Sequence, residues 1–308
     1  MSQSLPVIGD PVALIAGASH RRVRHDGRHR GTYVDDLGSG TSGSSVALAE
    51  TRSGGDGLTV TEVTVRFGGI LALDRVDMIA RRGEISGLIG PNGAGKTTLF
   101  NCLTGLYRAT SGRIRWNDVE LLGMQPYQVA GHGISRTFQN LALFPRLTVR
   151  QNVIVGMHRV RRTDWVSNAL RMPWVRKEER EIAARATAAL DEVGLGDVAD
   201  RPAAGLPYGT LKRVELARAV ASEPSLLLLD EPAAGLSHSE VDELMDVVRL
   251  LRDRYDLTIV LVEHHMGLVM RLCDHLTVLN FGRTIATGSP AEVRSNPAVI
   301  EAYLGGGE

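Results

Sequence analysis

The run Gly90-Pro-Asn-Gly-Ala-Gly-Lys96-Thr97 constrains the fold of this chain more than any other feature. It has the form G-x-x-x-x-G-K-[ST]. It lies between the apolar run Ile85–Ile89 and a stretch that predicts a helix from Lys96 to Leu106. A strand that passes through a glycine-rich turn into a helix N-terminus is the context this spacing requires. Gly90, Gly93 and Gly95 let the backbone wrap so closely that successive N–H groups point inward at phosphate oxygens. The helix that follows adds the positive end of its dipole. Pro91, Asn92 and Ala94 fill the variable positions. Lys96 is placed to neutralise β- and γ-phosphates, and the Thr97 hydroxyl to ligate Mg²⁺, with Thr98 beside it.

The rest of the chain from Leu58 onward supplies the layers such a loop needs. Leu58–Arg66 alternates apolar and polar residues, which predicts a half-buried strand. Leu226–Leu229, Thr258–Val262 and His275–Leu279 predict buried strands, and stretches of helical pattern separate most of them. Alternating strands and helices predict an α/β layer with a mainly parallel sheet. Thr148 with Gln151, and Ser237 with Glu240, have capping-box spacing. They predict helix starts near Val149 and for a helix running through Arg254. The four leucines of Leu226–Leu229 end in Asp230-Glu231. If the strand continues, these neighbours point to opposite faces, with Asp230 toward a metal and Glu231 toward an attacking water. In such chemistry catalysis is mostly positioning and charge stabilisation.

Composition removes several alternatives. No apolar run exceeds the length of Val12–Ala18, counting Gly17 as apolar, which is far shorter than the roughly 20 residues of a spanning helix. Thirty-five Lys and Arg balance 35 Asp and Glu, so no whole-molecule field draws the chain to nucleic acid or anionic lipid. Cys102 and Cys273 are the only cysteines and fit no disulfide framework or zinc spacing. Residues 1–57 read as a disordered Gly/Ser/Arg-rich extension, because Gly and Ser make up more than half of the stretch from Gly38 to Gly57. Arg21-Arg22 follows the apolar stretch instead of preceding it, the reverse of a twin-arginine signal.

From about Leu58 to Gly305 the chain resembles the nucleotide-binding subunit of ABC transporters. The stations of that family occur in order. Phe67 stands where an aromatic ring stacks on adenine. The phosphate loop is followed by Arg136-Thr-Phe-Gln139, whose glutamine in the family touches the metal and senses the permease. Leu206-Pro207-Tyr208-Gly209-Thr210 occupies the signature position. Leu226–Glu231 is the second phosphate-site strand, and Glu263-His264 supplies the switch histidine, with His265 as its neighbour and competitor. The resemblance implies an α/β phosphate-loop NTPase fold with a mainly parallel core sheet, an antiparallel β-subdomain and a helical subdomain near 142–222. It implies ATP and Mg²⁺ as cofactors, Lys96, Glu231 and His264 as catalytic residues, and Thr97, Gln139 and Asp230 around the metal.

Several stretches are similar to the branched-chain amino acid importer subunit in particular. They are Arg66-Phe-Gly-Gly-Ile, Asn101-Cys-Leu-Thr-Gly-Leu-Tyr, Asp230-Glu-Pro-Ala-Ala-Gly-Leu, Glu263-His-His-Met-Gly-Leu-Val-Met and Asn296-Pro-Ala-Val-Ile-Glu-Ala-Tyr-Leu-Gly. This implies two permease subunits, a second ATPase subunit and, indirectly, an external solute-binding protein. Location at the cytoplasmic face of the membrane follows, with the membrane touched only through the permeases and no nucleic acid bound. The alternative is a soluble ABC ATPase acting on DNA, ribosomes or cofactor assembly. A phosphate loop that occurs once, the absence of a long coiled coil and the zero net charge weigh against it. The signature departs from Leu-Ser-Gly-Gly-Gln: Pro207 has neither a hydroxyl nor a backbone N–H, although proline is tolerated near a helix start. Ser237 stands where Asp or Asn is usual. These departures predict a heterodimer with two unequal ATP sites. The basic, Trp-containing stretch Arg159–Arg180, with Trp165 and Trp174, is read as a solvated helical insertion.

Overall fold

The computed structural model describes residues 57–137, 141–157 and 173–304. Residues 1–56 of the extension, Gln139 and the Trp165 part of the basic stretch lie outside them.

Two sheets organise these residues. Strands β1 (Gly57–Phe67), β2 (Ile70–Arg81), β4 (Ser111–Trp116) and β5 (Val119–Glu120) form an antiparallel sheet in the order β2-β1-β4-β5. The second sheet has six strands. It contains β3 (Ile85–Ile89), β6 (Ile134–Arg136), β7 (Leu226–Asp230), β8 (Thr258–Val262), β9 (His275–Asn280) and β10 (Arg283–Gly288), in the order β10-β9-β3-β8-β7-β6. All its pairings are parallel except the β9–β10 hairpin.

The apolar runs are continuous because the six-stranded sheet is covered on both faces. Leu226, Leu228, Val260 and Val262 pack in one core with β1, β2 and β4 of the antiparallel sheet. Leu227, Leu229, Ile259 and Leu261 pack in another, against helices. Those helices include α3 (Val149–Gly156), α4 (Pro173–Glu192), α5 (Tyr208–Val220), α6 (His238–Tyr255) and α7 (Met266–Leu272). Helices α1 (Lys96–Leu103) and α2 (Pro126–Gly131) contribute Leu99, Phe100 and Val129 to the first core. Helices α8 (Pro290–Ser295) and α9 (Pro297–Leu304) close the chain.

Both expected capping boxes are present. The Thr148 and Ser237 hydroxyls accept from the N–H groups of Gln151 and Glu240, and α3 and α6 start one residue after each cap. Three local expectations need correction. Helix α1 ends at Leu103 instead of Leu106, because Leu106 and Tyr107 both turn back to donate to the Asn101 carbonyl. The alternation of β1 is broken at Glu62, which adopts a φ of 47°, and the pairing register shifts there. The β7 strand ends at Asp230. Glu231 has a φ of 47° and leaves the strand as its N–H donates to the Val262 carbonyl at 2.9 Å. It is therefore aimed by a left-handed residue, not by strand alternation.

Candidate nucleotide site

Strand β3 delivers the chain into the phosphate loop, and the loop has no room for a side chain at its first position. Gly90 has a φ of 148°, and a Cβ there would lie 2.1 Å from the Leu279 carbonyl oxygen. The loop ends in α1, whose first residue is Lys96. A cavity of about 400 Å³ is lined by Asn92–Thr98 of the loop and helix, by Ile70–Ala72 of β2, and by Glu231, Phe281 and Gly282. Glycine-rich backbone, a lysine, two threonines and a glutamate thus line one cavity.

The Lys96 ammonium is folded back on its own loop, donating to the carbonyls of Gly90 at 2.7 Å and Pro91 at 2.8 Å. Burial pulls its pKa below the usual lysine value, and the nearby Glu231 carboxylate opposes that shift. Both carbonyl bonds are ones an incoming phosphate can replace with stronger charge-assisted contacts. The loop is also held from behind: Gly282, at the tip of the β9–β10 hairpin, donates its N–H to the Ala94 carbonyl at 3.0 Å.

Asp230 and Glu231 diverge as two roles would require, though through the turn just described. Asp230 is buried, and its Oδ2 accepts from the Arg136 guanidinium at 2.6 Å. Glu231 reaches the cavity, and its Oε2 lies 3.9 Å from Nδ1 of His264. His264 is largely exposed. His265 is committed elsewhere. Its Nδ1 accepts from the Leu268 N–H at 3.2 Å, so it caps α7 and is not simply helix surface. The backbone thus puts two adjacent histidines to different uses.

The remaining expected residues divide into two groups. Phe67 stands outside the cavity lining, at the end of β1. It is 45% exposed and meets Tyr107 edge-on, with 5.2 Å between ring centroids. The signature residues lie elsewhere. Pro207, Gly209 and Thr210 line a separate cavity of about 280 Å³ with Arg213, Glu240 and Glu243. Pro207 is the N-cap of α5 and offers no side-chain cap bond. Leu206 is buried, and Tyr208 is partly exposed with the Lys212 ammonium 5.7 Å from its ring centroid. Signature and phosphate loop of one chain therefore face different spaces.

Several residues that the sequence reading left without a role shape the site. Glu263, whose side chain is wholly buried, accepts from the N–H groups of Ala233 at 2.8 Å, His264 at 3.1 Å and His265 at 3.3 Å. It ties the turn after Glu231 to the turn that carries His264. Tyr303 on α9 brings the C-terminal helix beside the loop. It lines a third cavity with Pro91, Asn92 and Glu301. Burial raises its hydroxyl pKa, and a backbone hydrogen bond at Gly90 acts the other way. No local sequence signal announces either contact, since both partners are distant along the chain.

Comparison with known proteins gives a consistent result. The family profile described as ABC transporter matches residues 73–234, and one described as branched-chain amino acid ATP-binding cassette transporter matches residues 283–308. The chain is 44% identical over 248 residues to the high-affinity branched-chain amino acid transport ATP-binding protein BraF of Pseudomonas aeruginosa, an alignment covering 80% of this chain and 97% of that protein. It is 45% identical to the corresponding protein LivG of Salmonella typhimurium, with the same coverage. Among solved structures it is similar to an ABC transporter ATP-binding cassette in its ADP conformation. The TM-score is 0.71 at 31% identity, with 81% of this chain and 98% of that chain covered.

Proposed function

This chain belongs to the family of ABC transporter ATP-binding cassettes, and from that premise we propose that it is the ATP-hydrolysing subunit of an importer for branched-chain or related amino acids. The observation that carries the solute class is similarity over almost the full length of BraF and LivG, extending to the C-terminal segment of the branched-chain group. The soluble, non-transport alternative has no such support.

The phosphate loop binds ATP through its backbone N–H groups, and Lys96 leaves the Gly90 and Pro91 carbonyls for the β- and γ-phosphates. Mg²⁺ fits the donors present. Among the described residues no cluster of three or more His, Cys, Asp or Glu forms a self-sufficient metal cage. A hard cation shared between substrate phosphates, one hydroxyl and one carboxylate needs none. Thr97 and Asp230 would hold it, joined by Gln139, and when bound it neutralises charge that develops on the phosphates. Glu231 orients the attacking water, and His264, beside it, contacts the γ-phosphate. Phe67 stacks on adenine. Because Pro207, Gly209 and Thr210 line a cavity separate from that of their own phosphate loop, the signature Leu206–Thr210 serves the site of a second ATPase subunit. Pro207 removes a donor from that shared site, which makes the two sites of the pair unequal.

Among the described residues no helix is long and apolar enough to cross a membrane. Similarity to importer ATP-binding subunits, not the lack of such a helix, supports attachment to two permease subunits at the cytoplasmic face, with a solute-binding protein outside. The test is purification of the tagged Glu231→Gln protein with Mg-ATP from gently solubilised native membranes, with companions identified by mass. This variant is expected to bind ATP without turning it over, and to bring down two permeases and a second, different ATPase. Recovery in the soluble fraction alone, or with ribosomes or nucleic acid, would overturn the transport reading, and normal turnover would remove Glu231 from its role.

A further inference from the structure

Arg136 is the last residue of β6 and stands three positions before Gln139. Its side chain is 9% exposed and that of Asp230 is 6% exposed; Nη2 donates to Asp230 Oδ2 at 2.6 Å. The same guanidinium is braced from α1. Nη1 donates to Asn101 Oδ1 at 2.8 Å, and Cζ lies 5.5 Å from the centroid of the Phe100 ring. The next residue repeats the link on the main chain. Thr137 donates its N–H to the Leu228 carbonyl at 2.9 Å, and its Oγ1 accepts from the Asp230 N–H at 3.3 Å. Both the carboxylate of Asp230 and its backbone are thus held by the segment that leads to Gln139.

A buried ion pair adds little net stability, because desolvation of both charges offsets their attraction. Stability alone is therefore a poor account of a charge placed here. Geometry is a better one. A planar guanidinium gripped by an amide and an aromatic face presents its remaining N–H groups in a fixed direction. The carboxylate that accepts one of them is fixed in turn, with Oδ2 committed to Arg136. Groups that orient a metal-binding carboxylate in this way tune metal affinity without touching the metal.

We propose that Arg136 is a positioning residue that sets the orientation of the Asp230 carboxylate and, through it, the Mg²⁺ requirement of nucleotide binding. The proposal rests on the metal role assigned above to Asp230. It makes Asn101 the strut of the arrangement, and it gives the segment before Gln139 a mechanical hold on the metal site.

The experiment measures binding of a fluorescent ATP analogue to the full chain, first in EDTA and then as Mg²⁺ is titrated in. Arg136→Ala should raise the half-saturating Mg²⁺ concentration by about tenfold, while affinity in EDTA stays that of the parent. Arg136→Lys, which keeps one N–H to Asp230 but loses the fork to Asn101, should fall between the two. Asn101→Ala should shift the requirement in the same direction by less, and these two milder variants carry the test if Arg136→Ala does not fold. An unchanged Mg²⁺ requirement in the folded variants overturns the proposal, as does an equal loss of binding with and without metal, the mark of a purely structural role. Asp230→Asn separates the two readings. If it shifts the Mg²⁺ requirement and the Arg136 variants do not, only the positioning role fails. If none of them shifts it, the metal role of Asp230 fails as well. A shift in the Arg136 variants without one in Asp230→Asn also overturns the proposal, because the effect would not pass through that carboxylate.

Discussion

Replacing Glu263 by Gln changes almost nothing in volume and removes a charge that three backbone donors share. Oε1 accepts from Ala233, and Oε2 accepts from both His264 and His265. An amide has one acceptor oxygen and one NH₂ group. With the oxygen in the Oε2 position, two bonds survive and the NH₂ group opposes the Ala233 N–H. The reverse orientation sacrifices both histidine contacts. At least one charge-assisted bond in a fully buried setting is lost either way, a cost of about 1.5–3 kcal/mol. For a domain of this size each kcal/mol lowers Tm by about 2–4 °C, so scanning calorimetry without nucleotide should find a fall of about 3–12 °C. Glu263→Ala, which strands all three donors, should fall further. Because Glu263 holds the turns after Glu231 and around His264, ATP hydrolysis by Glu263→Gln should lose kcat more than KM. A Tm and kcat indistinguishable from the parent would refute the reasoning, since they would mean that these three donors gain nothing from the carboxylate.

Two further outcomes follow from the same geometry. Gly282→Ala introduces a Cβ 2.6 Å from the Ala72 carbonyl oxygen at a φ of 76°. Backbone strain of this kind costs about 1–3 kcal/mol, so Tm should drop and ATP should bind more weakly, because Gly282 braces Ala94 of the phosphate loop; an unchanged ATP affinity would show that the brace is dispensable. Burial pushes the Cys102 thiol up to about 11 and the Cys273 thiol up to about 12. Both stay protonated at pH 8, and a thiol reagent should label neither in the native chain and both after denaturation; rapid native labelling would place one of them at the surface.

Much of this architecture is legible in the sequence because it depends on neighbours a few residues apart. Glycine spacing and the flanking strand and helix patterns specify the phosphate loop, since only backbone that tolerates Gly90's φ of 148° can wrap a phosphate there. Thr148 and Ser237 announce their helices because a cap and its partner are three residues apart. The leucines of β7 announce a strand covered on both faces by their lack of alternation. Tertiary structure alone decided the rest. The Arg136–Asp230 pair spans 94 residues of sequence, and the Glu263–Ala233 bond spans 30. Each exists only because parallel strands β6, β7 and β8 lie side by side and end at one edge. Glu231 enters the cavity by a left-handed residue whose conformation is set by its bond to the end of β8. The meeting of Phe67 with Tyr107 and the seat of α9 beside Gly90 likewise depend on which surfaces the two cores bring together. Local patterns write the backbone motifs into the chain, whereas the partners of its buried charges are chosen by packing.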